Sequence, residues 1–238
     1  MRKLTHHRGL AATLAVLAVF LGGCSAATHA QPAAVPCPPD ASSACPASPD
    51  LEHVRAQLES LAVKGRAPKT GYTRDQFGPS WSDDVDVEFG HDGCDTRNNI
   101  LRRDLTDPVT RPGTHDCVIE SGTLHDAYTG KTITFQRGHD TSDDVQIDHI
   151  VALSAAWQTG AQQLSPVERR NLANDPRNLQ AVDGPTNQRK GDADAATWLP
   201  AKPYRCTYVA RQVDVKTTYR LWVTDAEKTA ILAVLATC

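Results

Sequence analysis

The chain has 238 residues, 40% hydrophobic and 22% charged, a composition typical of globular proteins that excludes a fibrous or wholly disordered chain. The length is sufficient for one domain with a substantial core, or for two small ones. The formal net charge of −3 excludes a strongly basic protein that attracts nucleic acid over long distances.

Residues 1–23 are predicted to be a signal peptide. The basic residues of its start are Arg2, Lys3 and Arg8. An apolar run over residues 10–21 follows, and it is too short to cross a bilayer comfortably. The sequence Leu-Gly-Gly-Cys that ends at Cys24 resembles a bacterial lipobox, so we expect cleavage before Cys24 and a lipid anchor on its thiol. The alternative is an ordinary signal peptide cut near Ala30, which would release a freely secreted protein.

Residues 24–49 are rich in Ala, Pro and Ser and are predicted to form a flexible tether. Besides Cys24 the chain has six cysteines, an even number that in an exported protein indicates disulfides. The predicted pairs follow the order of the chain: Cys37–Cys45, Cys94–Cys117 and Cys206–Cys238. No Cys-x-x-Cys sequence occurs, which argues against a zinc finger.

Residues 50–238 are predicted to form a single α+β domain with a small antiparallel sheet and surrounding helices, stapled by disulfides. Apolar periodicity and capping residues predict helices over 51–64, 96–105, 152–160 and 204–219, and after Ser165 and Thr224. Alternating segments predict strands over 117–124 and 128–136. Trp157 and Trp198 are expected in the core rather than stacked on a nucleobase.

Charge is unevenly distributed along this domain. Acidic residues crowd 83–95, a segment whose spacing favours a solvated loop over a calcium site. Basic residues gather at 97–111 and 202–220 and could form a local groove for phosphates. Removal of residues 1–24 leaves 22 basic against 28 acidic residues, a net charge of −6, so binding to nucleic acid should be weak and sensitive to salt.

The segment most suggestive of chemistry runs from residue 146 to residue 192. Gln-Ile-Asp-His-Ile-Val at 146–151 predicts a short strand, on which the adjacent Asp148 and His149 point to opposite faces. Residues 178–182 follow an Asp-Pro turn and predict a second strand, and Gly-Pro-Thr at 184–186 starts a short helix that carries Asn187. This order could bring Asp148, His149 and Asn187 together.

These residue types suit the hydrolysis of a phosphodiester. A neutral histidine can act as the base that activates water, because its ordinary pKa lies near neutral pH. A hard divalent cation, most naturally Mg²⁺, can stabilise the phosphate and the leaving oxygen. Asp148 and the side-chain oxygen of Asn187 are suitable oxygen ligands for it.

The ordered set Asp148-His149-Ile-Val, Asn178-Leu and Asn187-Gln-Arg-Lys-Gly-Asp resembles the HNH (ββα-metal, His-Me finger) endonucleases. It is most similar to the family related to the C-terminal domain of GmrSD-type restriction enzymes, in a branch of secreted actinobacterial proteins. The segments 94–98, 121–122 and 204–206 also look like that branch, and the resemblance covers about 71–238. It implies a ββα-metal core over about 146–192. His149 would be the general base, Asp148 and Asn187 the metal ligands, and Asn178 the residue that braces the loop around the base. Asn187 stands where HNH enzymes often have histidine, which leaves the metal affinity open.

The predicted function is therefore that of an exported endonuclease with little sequence preference, acting on DNA, with RNA as an alternative substrate. The predicted substrate contacts are Arg97, Arg189 and Lys190; for Arg97 a solvated helix face is an equal alternative. The expected partners are nucleic acid and, through Cys24, a membrane, and no protein partner is inferred. The alternative function is a non-catalytic binding lipoprotein of the cell envelope that retains the fold.

Overall fold

A computed structural model of the chain describes residues 49–238. The predicted signal peptide, the lipid anchor on Cys24, all but the last residue of the predicted tether and the predicted Cys37–Cys45 pair lie outside the described residues. Within 49–238, no helix combines the length and the apolar character needed to cross a bilayer.

Seven α-helices and five strands build residues 49–238. The helices are α1 (Leu51–Ser60), α2 (Thr96–Asp104), α3 (Leu153–Gln158), α4 (Pro166–Asn174), α5 (Gly184–Lys190), α6 (Arg205–Thr218) and α7 (Asp225–Leu235). The strands are β1 (Leu105–Thr110), β2 (Ile119–His125), β3 (Thr132–Gln136), β4 (Val145–His149) and β5 (Leu179–Asp183). Ser165 and Thr224 form the capping boxes that open α4 and α7. The predicted α+β class with small antiparallel sheets is confirmed.

The first sheet has three antiparallel strands in the order β1-β2-β3. Strand β1 was not predicted, because its sequence Leu-Thr-Asp-Pro-Val-Thr lacks a regular apolar alternation. Its pairing with β2 is irregular between Thr106 and Val109, around Pro108, which has no backbone N–H to donate. A strand of this kind is tolerated at the edge of a sheet.

The second sheet pairs β4 with β5 in antiparallel register, with Asp148 opposite Gln180 and His149 opposite Leu179. Helix α5 begins directly after β5, where the Asp183 side chain accepts a hydrogen bond of 2.9 Å from the backbone N–H of Thr186. Gly184 is required at this junction, because a Cβ atom there would lie 1.9 Å from the carbonyl oxygen of Asp143. The unit β4-β5-α5 is the part of the fold that carries the candidate site.

Three hydrophobic clusters surround this unit. One contains Leu58, Tyr208 and Val213 and joins α1, α6 and α7. A second contains the buried Trp157, in agreement with its predicted place in the core. The third contains Ile147 and packs α2 against both sheets. Trp198 is half-buried against the first cluster, with its ring centroid 5.0 Å from that of Tyr128.

Two of the predicted disulfides are confirmed. Cys94–Cys117 links the segment before α2 to the segment before β2, and Cys206–Cys238 joins the start of α6 to the end of the chain. The first therefore fixes the start of α2, whose contacts with the candidate site are described below.

Candidate active site

The end of β4 places Asp148 and His149 on opposite faces of the strand, because successive side chains of a strand alternate. Asp148 lies on the side of α5. His149 lies on the side of the loop that follows α4. Both side chains are largely buried, with 5% exposure for Asp148 and 8% for His149.

The imidazole of His149 has a defined tautomer. Its Nε2 lies 2.9 Å from the carbonyl oxygen of Ala173, an atom that can only accept a hydrogen bond, so the proton is on Nε2. Nδ1 therefore carries the lone pair. It has no hydrogen-bond partner within residues 49–238, and it is not among the fully enclosed polar atoms of that range. This nitrogen can accept a proton from a substrate or a water molecule.

The pKa of His149 is lowered to about 3. Burial is the largest cause, and the positive charges of Arg74 and Lys190 lower the pKa further, against the opposing effect of the hydrogen bond to Ala173. The imidazole is consequently neutral at physiological pH, the state in which it can act as a base.

Trp81 covers the imidazole of His149, with nearly parallel rings at an interplanar angle of 12° and centroids 6.2 Å apart. The start of α2 holds Trp81 in place. The Thr96 N–H donates to the carbonyl oxygen of Trp81 at 3.3 Å, and the Thr96 hydroxyl donates to that of Ser82 at 2.9 Å. Nothing in the sequence near Trp81 indicated this role, because the contact joins segments far apart in the chain.

Asn178 is fully buried and braces the loops on either side of it. Its Oδ1 accepts from the Val151 N–H at 2.8 Å, and its Nδ2 donates to the carbonyl oxygens of Val151 and Leu172 at 3.3 and 3.2 Å. These bonds fix the chain just beyond His149 and just before Ala173. A contribution of Asn178 to catalysis stays a prediction.

Asp148 is neutralised within the protein. The ammonium of Lys190 lies 3.0 Å from Oδ1 and 2.9 Å from Oδ2 of Asp148, and the hydroxyl of Tyr128 donates to Oδ2 at 2.5 Å. Burial, followed by the charge of Asp148, raises the pKa of Tyr128 well above its ordinary value. Tyr128 comes from the turn between β2 and β3, and the sequence had suggested no role for it in the site.

Lys190 was expected to contact the substrate, and the structure places it elsewhere. Its side chain has no exposed surface, and its ammonium also donates to the carbonyl oxygen of His149 at 2.8 Å. A buried cation needs a counter-ion, and Asp148 provides one. Lys190 therefore positions the end of β4 rather than facing a substrate.

One of the two predicted metal ligands, Asp148, does not fit a divalent cation in this arrangement. The Lys190 ammonium already occupies both oxygens of Asp148, and its charge would repel a cation there. The half-buried Asn187 donates from Nδ2 to Gln146 Oε1 at 3.0 Å, a bond that leaves its side-chain oxygen, the predicted ligand atom, unused. In the described part of the chain, no group of three or more His, Cys, Asp or Glu side chains is arranged to hold a metal. A metal on Asp148 would require Lys190 to move away.

The other predicted substrate contacts differ from each other. Arg97 donates to the carbonyl oxygens of Val145, at 3.2 Å, and of Ser142, at 3.4 Å, so it holds the turn that leads into β4. Arg189 is exposed near the end of α5, with one hydrogen bond of 2.6 Å to the Thr186 hydroxyl. Arg189 thus remains accessible to a ligand, whereas the guanidinium of Arg97 is engaged by the backbone.

Two arginines of the predicted basic groove are engaged in the same way. Arg103 and Arg211 both donate to the carbonyl oxygen of Leu179, at 2.7 and 2.9 Å, and both also bind that of Pro176. They hold the loop before β5. The main role of these two arginines is therefore to stabilise the local structure of the site rather than to bind a phosphate.

The structure thus describes an α+β protein with a buried, neutral histidine at the end of a strand-strand-helix unit. The chain belongs to the family described as GmrSD restriction endonucleases, C-terminal domain, whose match covers residues 95–234. This family suggests a nuclease-like function, and HNH-type nuclease domains generally use a divalent metal.

The chain is also similar to an uncharacterized secreted protein of the fungus Arthroderma benhamiae. The two are 39% identical over 223 residues, which cover 92% of this chain and 98% of the relative. Because this relative is fungal, it does not identify the actinobacterial branch that the sequence suggested. No solved structure matches the chain.

Proposed function

We propose that the protein is an exported endonuclease that hydrolyses phosphodiester bonds of nucleic acid, with DNA as the expected substrate and His149 as the general base. One observation carries the proposal: the tautomer of His149 is held by Ala173, and Nδ1 is left as an unpaired acceptor. The family match supports the same class of reaction independently of this geometry.

In the proposed reaction, Nδ1 of His149 removes a proton from a water molecule as the water oxygen attacks the phosphorus. The new P–O bond forms while the ester bond on the opposite side breaks, and the leaving oxygen takes a proton from solvent. The proton on Nδ1 then returns to bulk water. The fixed hydrogen bond to Ala173 prevents the ring from turning Nε2 toward the substrate, so every turnover uses the same nitrogen.

Because the pKa of His149 is low in the free protein, the reaction requires something that stabilises the protonated ring. An imidazolium in this buried place would be unstable beside the charge of Arg74. A bound phosphodiester brings a negative charge close to the ring, which favours the protonated form and raises the pKa of His149. Proton transfer to Nδ1 is then coupled to the presence of the substrate.

The predicted ββα-metal core corresponds to β4, β5 and α5, and we keep this assignment as part of the proposal. A divalent cation, most naturally Mg²⁺, would supply further stabilisation of the phosphate charge. The proposal gives no step to a metal on Asp148 and Asn187, because Lys190 pairs with Asp148 in the described arrangement. Whether the reaction needs a metal is decided by the chelator experiment below.

An extracellular location is supported by the secreted relative. The two described disulfides point the same way, since such bonds persist in oxidising surroundings. The lipid anchor on Cys24, and with it a membrane as partner, is the finer part of the proposal. It is tested by the mass of the mature N-terminus from a bacterial host.

The central experiment uses the exported chain, folded under oxidising conditions and incubated with supercoiled plasmid. Parallel reactions contain Mg²⁺, Mn²⁺ or EDTA, and each is repeated with His149→Ala. A matched control is His139→Ala, because His139 is an exposed histidine paired with Asp140. We expect the wild type and His139→Ala to nick the plasmid and His149→Ala to be at least about 100-fold slower.

Equal nicking by His149→Ala would refute the assignment of the base. Absence of cleavage on plasmid, single-stranded DNA and RNA, with every metal, would refute the nuclease and favour the envelope-binding alternative. Loss of nicking in EDTA would establish the predicted metal requirement.

A further inference from the structure

Arg74 differs from every other arginine of residues 49–238. The other arginines in this range all donate hydrogen bonds to backbone carbonyls or to side chains of the protein. For Arg74 the structure shows no hydrogen bond, no ion pair and no aromatic ring beneath its guanidinium within that range. Its five N–H donors are therefore free for a ligand.

The backbone that carries Arg74 is nevertheless fixed. Arg74–Phe77 is a short 3₁₀ turn, in which Phe77 is buried with its ring centroid 6.3 Å from that of Trp157. The carbonyl oxygen of Gln76 accepts a hydrogen bond of 2.7 Å from Arg169. A rigid turn that presents an unpaired guanidinium is a suitable arrangement for binding an anion, because little ordering is needed on binding.

This turn belongs to the wall of the His149 site. The same segment continues to Trp81, which covers the imidazole. Phe77, at the end of the turn that Arg74 begins, packs in one buried cluster with Val151, two residues beyond His149, and with Ala173, which accepts the Nε2–H bond of His149. Arg74 itself is exposed to solvent. It is thus an exposed cation on a turn that packs beside the base.

The second cation that acts on His149 is unsuited to a substrate. Lys190 is fully buried and bound to Asp148, on the opposite face of β4. Arg189 is exposed, but it lies on α5, the helix next to Asp148 rather than next to the imidazole. Of these three cations, only Arg74 is both exposed and carried by a segment that packs beside His149.

We propose that Arg74 binds the phosphodiester that His149 attacks, as a catalytic residue whose guanidinium donates to the non-bridging oxygens. A guanidinium can bind two phosphate oxygens at once, which orients the phosphorus as well as neutralising its charge. The bound phosphate in turn offsets the effect of Arg74 on the pKa of His149. This inference rests on the proposed nuclease function and adds a residue to its site.

The experiment measures binding separately from cleavage. In a His149→Ala background, the affinity for a fluorescent DNA oligonucleotide is measured by anisotropy at several salt concentrations, with Arg74→Ala and Arg74→Lys added in turn. Arg55→Ala is the matched control, since Arg55 lies on α1, outside the predicted basic groove, and donates to the carbonyl oxygen of Leu235 at 2.7 Å. In the His149-containing protein, the same variants are assayed for plasmid nicking.

We expect Arg74→Ala to weaken binding about 10-fold and to reduce the slope of log K against log salt by about one, as for the loss of one phosphate contact. Arg74→Lys should keep the slope but lose part of the affinity, and nicking by Arg74→Ala should fall by about 100-fold or more. Arg55→Ala should match the parent protein.

Unchanged binding and nicking in Arg74→Ala would overturn the inference, and so would an equal loss in Arg55→Ala. If the wild type nicks plasmid normally in either case, the nuclease assignment survives and the role of Arg74 alone is wrong. If the wild type neither binds nor cleaves nucleic acid, both proposals fail together. Circular dichroism of each variant establishes that the fold is intact, which is expected because the side chain of Arg74 makes no hydrogen bond within residues 49–238.

Discussion

The Nε2–H of His149 donates to the carbonyl oxygen of Ala173 across 2.9 Å. This bond joins the end of β4 to the end of α4 and leaves Nδ1 as the basic nitrogen. Asn178 holds the backbone on both sides of the bond. The orientation of the candidate base is thus determined by a backbone carbonyl at the end of α4 rather than by another ionisable side chain.

The pKa of His149 makes stability depend on pH. The folded value of about 3 lies below the ordinary value of 6.5, so the unfolded chain binds more protons between these values. Stability is therefore fully present above pH 6.5 and is lost as the pH falls toward 3, by at most about 1.4 kcal/mol per pH unit from this group.

Urea denaturation at a series of pH values checks this prediction. The His149→Gln variant should show a flatter dependence than the wild type, while His139→Gln, at an exposed site, should behave as the wild type does. If the stability of the wild type depended on pH as weakly as that of His149→Gln, the low pKa of His149 would be contradicted.

Asn178→Ala should destabilise the protein by about 2–4 kcal/mol, because it leaves buried backbone groups of Val151 and Leu172 without partners. Nicking should also fall, since the end of α4, which carries Ala173, would be loosened. Asn171→Ala is the control: Asn171 accepts one exposed backbone N–H, and its loss should cost less than about 1 kcal/mol. Comparable losses of stability in both variants would show that the hydrogen bonds of Asn178 have no special importance for the two segments that it joins.

Lys190→Met should destabilise the protein by about 3–5 kcal/mol, because it leaves the buried Asp148 without its counter-ion. Adding Asp148→Asn to Lys190→Met should recover part of the loss. Lys131→Met removes the pair of the exposed Lys131 with Asp183, 3.6 Å apart, and should cost less than about 1 kcal/mol because Asp183 keeps its hydrogen bonds from Thr186. Chemical denaturation of the wild type, Lys190→Met, Asp148→Asn and the double variant measures the coupling, and additive effects of the two buried substitutions would show that the pair is unimportant.

Metal binding tests whether Lys190 keeps the Asp148 carboxylate from binding a cation. If Lys190 occupies it in solution, the wild type should bind Mn²⁺ weakly in calorimetry, and Lys190→Ala should bind it more tightly because both oxygens become free. Lys131→Ala should resemble the wild type. Tight Mn²⁺ binding by the wild type that disappears in Asp148→Asn would show instead that the metal displaces Lys190, as the metal site predicted from the sequence requires.

The two described disulfides should differ in their effect on activity. Opening either one is expected to lower stability by about 3–4 kcal/mol, since the pairs close loops of similar length, with sequence separations of 23 and 32. Replacing Cys94 and Cys117 by Ser should also slow nicking, because the freed start of α2 holds Trp81 over His149. The Cys206 and Cys238 replacement should leave the rate per folded molecule unchanged, and a similar slowing there would contradict this link.

Much of the local structure was predictable from the sequence, because its causes lie within a few residues. The capping boxes at Ser165 and Thr224 open helices where expected. The Asp-His strand, the Asn-Leu strand and the Gly-Pro-Thr helix start appear as β4, β5 and α5. The alternation of side chains along a strand also predicted the opposite orientations of Asp148 and His149. By contrast, β1 was not predicted, because Pro108 interrupts the alternation of apolar and polar residues in its sequence.

Tertiary packing alone decided which side chains meet at the site. Lys190 looked like a surface cation in the sequence, but the docking of α5 on β4 buries it against Asp148. Trp81, Tyr128 and Arg74 reach the site from segments that carry no local signal for it. Burial and long-range contacts depend on how the elements pack together, and so does the charge that a neighbour imposes on a buried imidazole. The periodicity of any single segment therefore cannot encode them.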